Sequence, residues 1–139
     1  AGLFLDADID HEFQPGRGGA VRTWLADLAE PLRLLAGVAA NRPVLVVVLP
    51  SQYQVDDELR GRVLAETGLA PALLTKGTAQ RRIVELCATM GLPCFDATPA
   101  LTAGGTPGEM FDRDHVHISA LGSEVVARAL ADMLAPLLK

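Results

Sequence analysis

Val44-Leu45-Val46-Val47-Val48-Leu49, bracketed by Pro43 and Pro50, is the stretch that decides the fold class. A continuous apolar run of this length, rich in β-branched side chains, is the pattern of a strand buried on both faces, as in a parallel sheet covered by helices. We read it as the central strand of such a sheet. Upstream, from Ala20 to Ala40, the apolar residues Val21, Trp24, Leu25, Leu28, Leu32, Leu35 and Val38 recur at three- and four-residue intervals, one face of a helix that Pro31 should kink or split. Trp24 on that face is most simply core.

Downstream, a polar loop at Ser51 to Val55 leads into Asp56 to Leu74, a loosely helical excursion broken by Gly68 and Pro71. A firmer helix is predicted from Thr78 to Met90, with Ile83, Val84, Leu86 and Cys87 apolar and Gly91 as its C-cap. Pro93-Cys94-Phe95-Asp96 reads as a short second strand. The last helix begins after Ser119, a suitable N-cap, and carries Leu121, Val125, Val126, Ala129, Leu130, Met133, Leu134 and Leu137 on one broad face. Glu124, Arg128 and Asp132, spaced by four, form its solvated side. With Leu3 to Asp6 as a further strand at the start, the alternation of helix and strand implies an α/β fold: a three-layer, doubly wound, flavodoxin-like parallel sheet with right-handed crossovers. There is no internal repeat and no low-complexity tract.

At 139 residues the chain is one domain or a large piece of one, so residues 1–139 are taken as a single unit. Half of the residues are apolar and 21% are charged, which excludes intrinsic disorder; with 4% aromatic residues, aliphatic packing dominates the core. A net charge of −5, with Lys and Arg spread singly, offers no basic stripe for phosphates, so nucleic acid is not an expected partner. The longest apolar segment, Trp24 to Ala40, is interrupted by Asp27, Glu30, Pro31 and Arg33 and cannot span a bilayer. Cys87 and Cys94 are too few for a disulfide framework or a closed zinc site. They are expected as two small buried thiols, with a disulfide across the helix-to-strand turn as the alternative in an oxidising compartment. The chain opens on Ala1 and the apolar run Leu3-Phe4-Leu5, without a signal-peptide pattern, and so looks like a segment of something longer.

Ligands of open α/β sheets bind beyond the carboxyl ends of the strands, which gives the loops following strands the most weight. Two are polar. The first is Pro50-Ser51-Gln52-Tyr53-Gln54, in which Ser51, Tyr53 and Gln54 are candidates for substrate binding; Tyr53 and Gln54 could equally begin the next helix. The second runs from Asp96 through Gly104-Gly105 to Asp112-Arg113-Asp114-His115-Val116-His117-Ile118-Ser119 and holds the densest set of titratable groups in the chain. An imidazole takes and returns a proton near neutral pH once something fixes its tautomer. In a tight turn Asp114 can accept the Nδ1 hydrogen of His117, leaving Nε2 to face a nucleophilic hydroxyl.

Asp114-x-x-His117-Ile118-Ser119-x-x-Gly122, followed by an amphipathic closing helix, resembles the last conserved block of the SGNH (GDSL-type) hydrolases. The order of buried strand, Pro50-Ser51, excursion, helix, Gly91-Leu92-Pro93, short strand with Asp96 and Asp-His block resembles the C-terminal half of those enzymes, from about Ala20 onward. The resemblance implies a serine ester hydrolase, of esterase, lipase-like or carbohydrate-deacetylase type, with His117 as base and Asp114 as its orienting acid. It implies no metal and no organic cofactor, an ester of a small molecule or carbohydrate as substrate, and a cell-envelope or secreted setting. The family's Gly-Asp-Ser segment, oxyanion glycine and Gly-x-Asn-Asp segment are not found. The serines are Ser51, Ser119 and Ser123, none in a Gly-Asp-Ser context, and Asn41 precedes a strand. The nucleophile and the donors to the developing oxyanion are therefore expected from a missing N-terminal half of the same domain, and the segment alone should be close to inert.

Other readings stand beside this one. His117 could merely cap the last helix, with Asp114 tethering the loop. Asp112 and His115 repeat the same spacing in an overlapping frame, but the continuation Ile118-Ser119-x-x-Gly122 favours His117 and leaves His115 as an exposed neighbour. His115 and His117 could share a metal with Asp112 or Asp114. The acidic run Asp6, Asp8, Asp10, Glu12 fails as a calcium loop, because His11 and Arg17 stand where glycine and a bidentate glutamate are required. The functional alternatives are an O-acetyltransferase of the same fold acting on exported polysaccharide, and a flavodoxin-like binding domain with no catalytic role.

Overall fold

The computed structural model describes residues 28–37, 44–68, 71 and 75–138. The strand expected at Leu3 to Asp6, the acidic run, Trp24 and Asn41 lie outside the described residues. Helical backbone over residues 28–37 (α1) continues unbroken through Pro31, with Ala29 and Leu32 buried. Then come β1 (Val46–Val48), a 3₁₀ turn (Gln52–Gln54), α2 (Asp57–Thr67), α3 (Thr78–Thr89) and β2 (Cys94–Asp96). Next are α4 (Thr98–Gly104), α5 (Pro107–Met110) and α6 (Ala120–Leu134), the last running into a 3₁₀ turn over Ala135–Leu138. The described residues are mixed α/β, with a two-stranded parallel sheet in which Val46, Val47 and Val48 face Cys94, Phe95 and Asp96.

Three local signals act as the sequence predicts. Ser119 caps α6, its hydroxyl accepting from the Gly122 N–H at 3.0 Å. Gly91 takes φ 65°, and the Leu92 N–H donates to the Cys87 carbonyl at 3.0 Å, closing α3 with the left-handed cap that glycine adopts freely. On α6, Val126 is buried, Val125 and Leu130 pack beside it, and Glu124, Arg128 and Asp132 face solvent, but Leu121, expected on the apolar face, is exposed in the first turn.

Three expectations are corrected. The six-residue run shortens to a three-residue strand, and Val47 (39% exposed) and Leu49 (51%) are open, so the strand is not buried on both faces among the described residues. The first part of the excursion is better ordered than expected, a regular helix over Asp57–Thr67 in which the Asp56 carboxylate accepts from the Glu58 and Leu59 N–H groups, and Gly68 breaks it as expected, at φ 67°. The Gly104-Gly105 region is no open loop: Gly104 ends α4 and only Gly105 and Thr106 separate it from α5. Asp96 caps the Thr98 N–H at 2.9 Å, while Thr106 and Glu109 form a capping box around the start of α5.

The core sits between α4, α5 and α6. Leu101, Met110, Ala97, Phe111 and Val126 are buried together, with Phe95, Val55 and Ile118 against them. Here Gly122 has one structural job. A Cβ at this position would stand 2.2 Å from the Met110 carbonyl oxygen, so α6 can approach the end of α5 only with no side chain there. Gly122→Ala is expected to destabilise the fold by about 1–3 kcal/mol, the usual penalty of overpacking a rigid backbone contact, measured as a lowered denaturation midpoint.

Cys87 and Cys94 are free thiols, Cys87 fully buried and Cys94 half-buried. Burial, then the hydrogen bond with Cys87, then the charges of Cys87 and Asp96 push the Cys94 thiol up to about 11. Because the thiolate is the nucleophile, alkylation of Cys94 by iodoacetamide at pH 8 should run about a hundredfold slower than that of an unperturbed cysteine. Mass spectrometry of timed samples checks it; parity with free cysteine would contradict this environment.

Candidate functional site

Parallel strands send their chains out at the same edge, so the loops after β1 and β2 start side by side. The loop after β1 turns at once into the 3₁₀ turn. The Ser51 N–H donates to Gln54 Oε1 at 2.8 Å, and Ser51 and Gln54 form a capping box around that turn. Tyr53 is buried at 2% exposure. Ser51 and Gln54, both half-buried, thus carry the turn itself, and Tyr53 enters the interior beside it.

The loop after β2 passes through α4 and α5 and then folds back on itself. Phe111 bridges Ile118 antiparallel, the Asp112 N–H donates to the His117 carbonyl at 2.8 Å, and the Ser119 N–H donates to the Met110 carbonyl at 2.9 Å. The residues between 112 and 117 form the tip. Within it Asp114 Oδ1 accepts from the N–H groups of Val116 and His117, both at 3.0 Å, while Oδ2 lies 2.6 Å from His117 Nδ1. Asp114 and His117 are therefore brought together in the expected pairing.

Electrostatics fixes the proton. The His117 imidazole, then the N–H groups of His117 and Val116, hold the Asp114 carboxyl well below the usual carboxylate range, so it is ionised near neutrality and only accepts. His117 Nδ1 must then be the donor, which leaves Nε2 to exchange a proton. The same hydrogen bond and the Asp114 charge raise the imidazole above its ordinary value, with a smaller contribution from Asp112. The His117 side chain is 76% exposed and that of Asp114 51%. The ring is open to solvent and oriented by a carboxylate; it is not packed as a core histidine.

His115 differs from expectation. It is half-buried, its Nδ1 lies 2.8 Å from Gln52 Oε1, and its carbonyl accepts from the Gln52 N–H at 2.9 Å. It also holds φ 64°, the one positive φ outside glycine among the described residues. Gln52 in turn donates from Nε2 to Asp56 Oδ2 at 2.9 Å. Gln52 and Asp56 are the residues that sequence reasoning passed over. The pair Asp56-Asp57 before a helix is a readable start signal, whereas the bond from Gln52 to His115 spans 63 positions and has no local pattern to mark it. The two histidines thus serve different partners, and among the described residues no three of His, Cys, Asp or Glu gather as a metal site.

No protein-family model, curated protein or solved structure matches the chain. Among the described residues no helix is long and apolar enough to cross a membrane.

The Asp114–His117 pair has a defined pH signature. Its contribution to stability is present below the ordinary imidazole value and fades as pH rises through the raised value of His117; on the acid side it is lost as pH falls through the lowered value of Asp114. Solvent screening at these exposed groups keeps that contribution small. In Asp114→Asn the His117 titration should move down toward the ordinary histidine value, read by NMR of the imidazole carbons. An unmoved titration would show that Asp114 does not govern the ring.

Proposed function

We propose that this chain supplies the acid–base half of a serine ester hydrolase of SGNH type, with His117 as general base and acid and Asp114 as its orienting carboxylate. One observation carries the reading: Asp114 Oδ2 sits 2.6 Å from His117 Nδ1 on an exposed loop tip joined to the loop that follows β1. Gly122 supports it, because the glycine of the Asp-x-x-His-Ile-Ser-x-x-Gly pattern meets a steric need in this fold.

The reaction follows from the ring's orientation. A serine hydroxyl, from polypeptide outside these 139 residues, attacks the carbonyl carbon of an ester while its proton passes to His117 Nε2. Asp114 stabilises the imidazolium that forms. The imidazolium then protonates the departing alcohol, and water takes the alcohol's place to release the acyl group. Donors to the tetrahedral oxyanion come from the same missing polypeptide.

The two strands belong, on this reading, to a three-layer, doubly wound sheet that other polypeptide completes. The exposed apolar side chains of Val47 and Leu49 on and beside a parallel strand support such a completion. An ester of a small molecule or of a carbohydrate suits an open pair at a sheet edge, and neither the mechanism nor the donor set calls for a metal or organic cofactor.

In the polypeptide that joins this chain to its nucleophile, His117→Ala should lower turnover of p-nitrophenyl acetate by several orders of magnitude and Asp114→Asn by up to ~10⁴. The 139-residue chain alone should neither hydrolyse the ester above background nor react with a fluorophosphonate probe. Full turnover in both variants, or labelling of Ser51, Ser119 or Ser123 in the isolated chain, would sink the assignment.

A further inference from the structure

We infer that Gln52 is a positioning residue: its buried side-chain amide holds His115 in a left-handed backbone conformation and in the Nδ1–H tautomer, and thereby sets the turn that brings Asp114 and His117 together. The inference rests on reading Asp114–His117 as the acid–base pair and extends that reading to a residue in another loop.

The reasoning begins at Asp114. Its Oδ1 receives both the Val116 and the His117 N–H, the spacing that Asp56 also serves at the start of α2, but here the residue that follows the carboxylate, His115, stands at φ 64°. A side chain with a Cβ resists that conformation, so something must hold it there. Two hydrogen bonds with Gln52 do so: the Gln52 N–H donates to the His115 carbonyl at 2.9 Å, and Gln52 Oε1 accepts from the His115 ring at 2.8 Å.

The direction of the amide is forced. Asp56 is drawn below the usual carboxylate range: burial pushes it up, but hydrogen bonds from the Leu59 N–H, the Gln52 amide and the Glu58 N–H, with the Arg62 charge, outweigh this. An ionised carboxylate cannot donate, so the Gln52 NH₂ must face Asp56 Oδ2, at 2.9 Å, and the carbonyl oxygen must face His115. That oxygen only accepts, which makes Nδ1 of His115 the protonated nitrogen. Asp56, Gln52 and His115 thus form a directed chain from the cap of α2 to the turn beside His117. At 6% exposure Gln52 is shielded from competing water, so the chain holds its direction.

Imidazole ¹⁵N NMR of the 139-residue chain reads both ends of this chain at once. In the unmodified protein His115 should carry its proton on Nδ1, and His117 should titrate above the ordinary histidine value. Gln52→Ala should release His115 to a tautomer mixture and lower the His117 titration toward the ordinary value. His115→Gly, which adopts the left-handed turn without help, should leave the His117 titration raised. Adding Gln52→Ala to His115→Gly should then change nothing further.

Should Gln52→Ala fail to fold, as judged by circular dichroism, Asp56→Asn serves instead. Asparagine keeps the helix cap but removes the obligate acceptor, and the His115 tautomer should become mixed. An unchanged tautomer and an unchanged His117 titration in Gln52→Ala, or in Asp56→Asn where that variant stands in, would overturn the inference. So would an equal drop caused by Gln52→Ala in the His115→Gly background, because Gln52 would then act by another route. If instead His117 titrates at the ordinary value in the unmodified protein, the acid–base reading of the pair fails, while the His115 tautomer still reports on Gln52.

Discussion

The parallel pairing of Val46–Val48 with Cys94–Asp96 is the constraint from which the rest of the molecule follows. Parallel strands leave their ladder at one edge, so two loops separated by some forty residues of chain are delivered to the same place, where Gln52 and His115 join them. Everything chemical in the described residues is built on that delivery. The first loop winds at once into a 3₁₀ turn with a buried tyrosine and a buried glutamine. The second takes a detour through α4 and α5, packs Leu101 and Met110 into the core, and returns as a closed hairpin whose tip carries the carboxylate and the imidazole. The core cluster stands directly behind that tip. Phe111 and Ile118, which close the hairpin, are also members of the packed group, so the fold's apolar burial and the site's geometry share the same residues.

What could be read from the sequence was what is encoded locally. Gly91 after a helical periodicity, Ser119 before one, and a carboxylate three residues before a histidine each combine signal and partner within a few positions, and each appears in the structure as expected. The α/β character was legible for the same reason: β-branched runs and helical stripes are short-range patterns. The tie from Gln52 to His115 was not legible, because it joins a backbone carbonyl and a ring 63 residues away. Burial of the strand was misread because a run of valines records a preference for being covered and does not supply the cover; Val47 and Leu49 are open among the described residues. The glycines at 104 and 105 pointed to a loop, yet Asp96 and the Thr106–Glu109 box supply helix starts on either side.

The left-handed turn at His115 shows how a local requirement recruits a distant residue. Glycine would satisfy φ 64° on its own, and the chain instead places a histidine there and anchors it through Gln52. A glycine would leave the tip free to sample other turns, at the entropic penalty glycine carries in any ordered position. A histidine with two long-range hydrogen bonds accepts backbone strain in return for one defined geometry, and it links the tip to the loop after β1, so that the two loops at the sheet edge behave as one unit.

Exposure sets the limit on what the Asp114–His117 pair achieves alone. With three-quarters of the imidazole side chain open, the attraction between carboxylate and imidazolium acts through a medium close to water, which screens it strongly. The geometry needed for proton transfer is present, while the low-polarity surroundings that strengthen such a pair are not supplied by these residues. A surface placed over the tip would raise the strength of the pair and deliver a reacting group in the same motion, without altering a single bond within the loop. The turn, the tautomer and the orientation are thus settled within these residues, while the pair itself stays in a medium close to water.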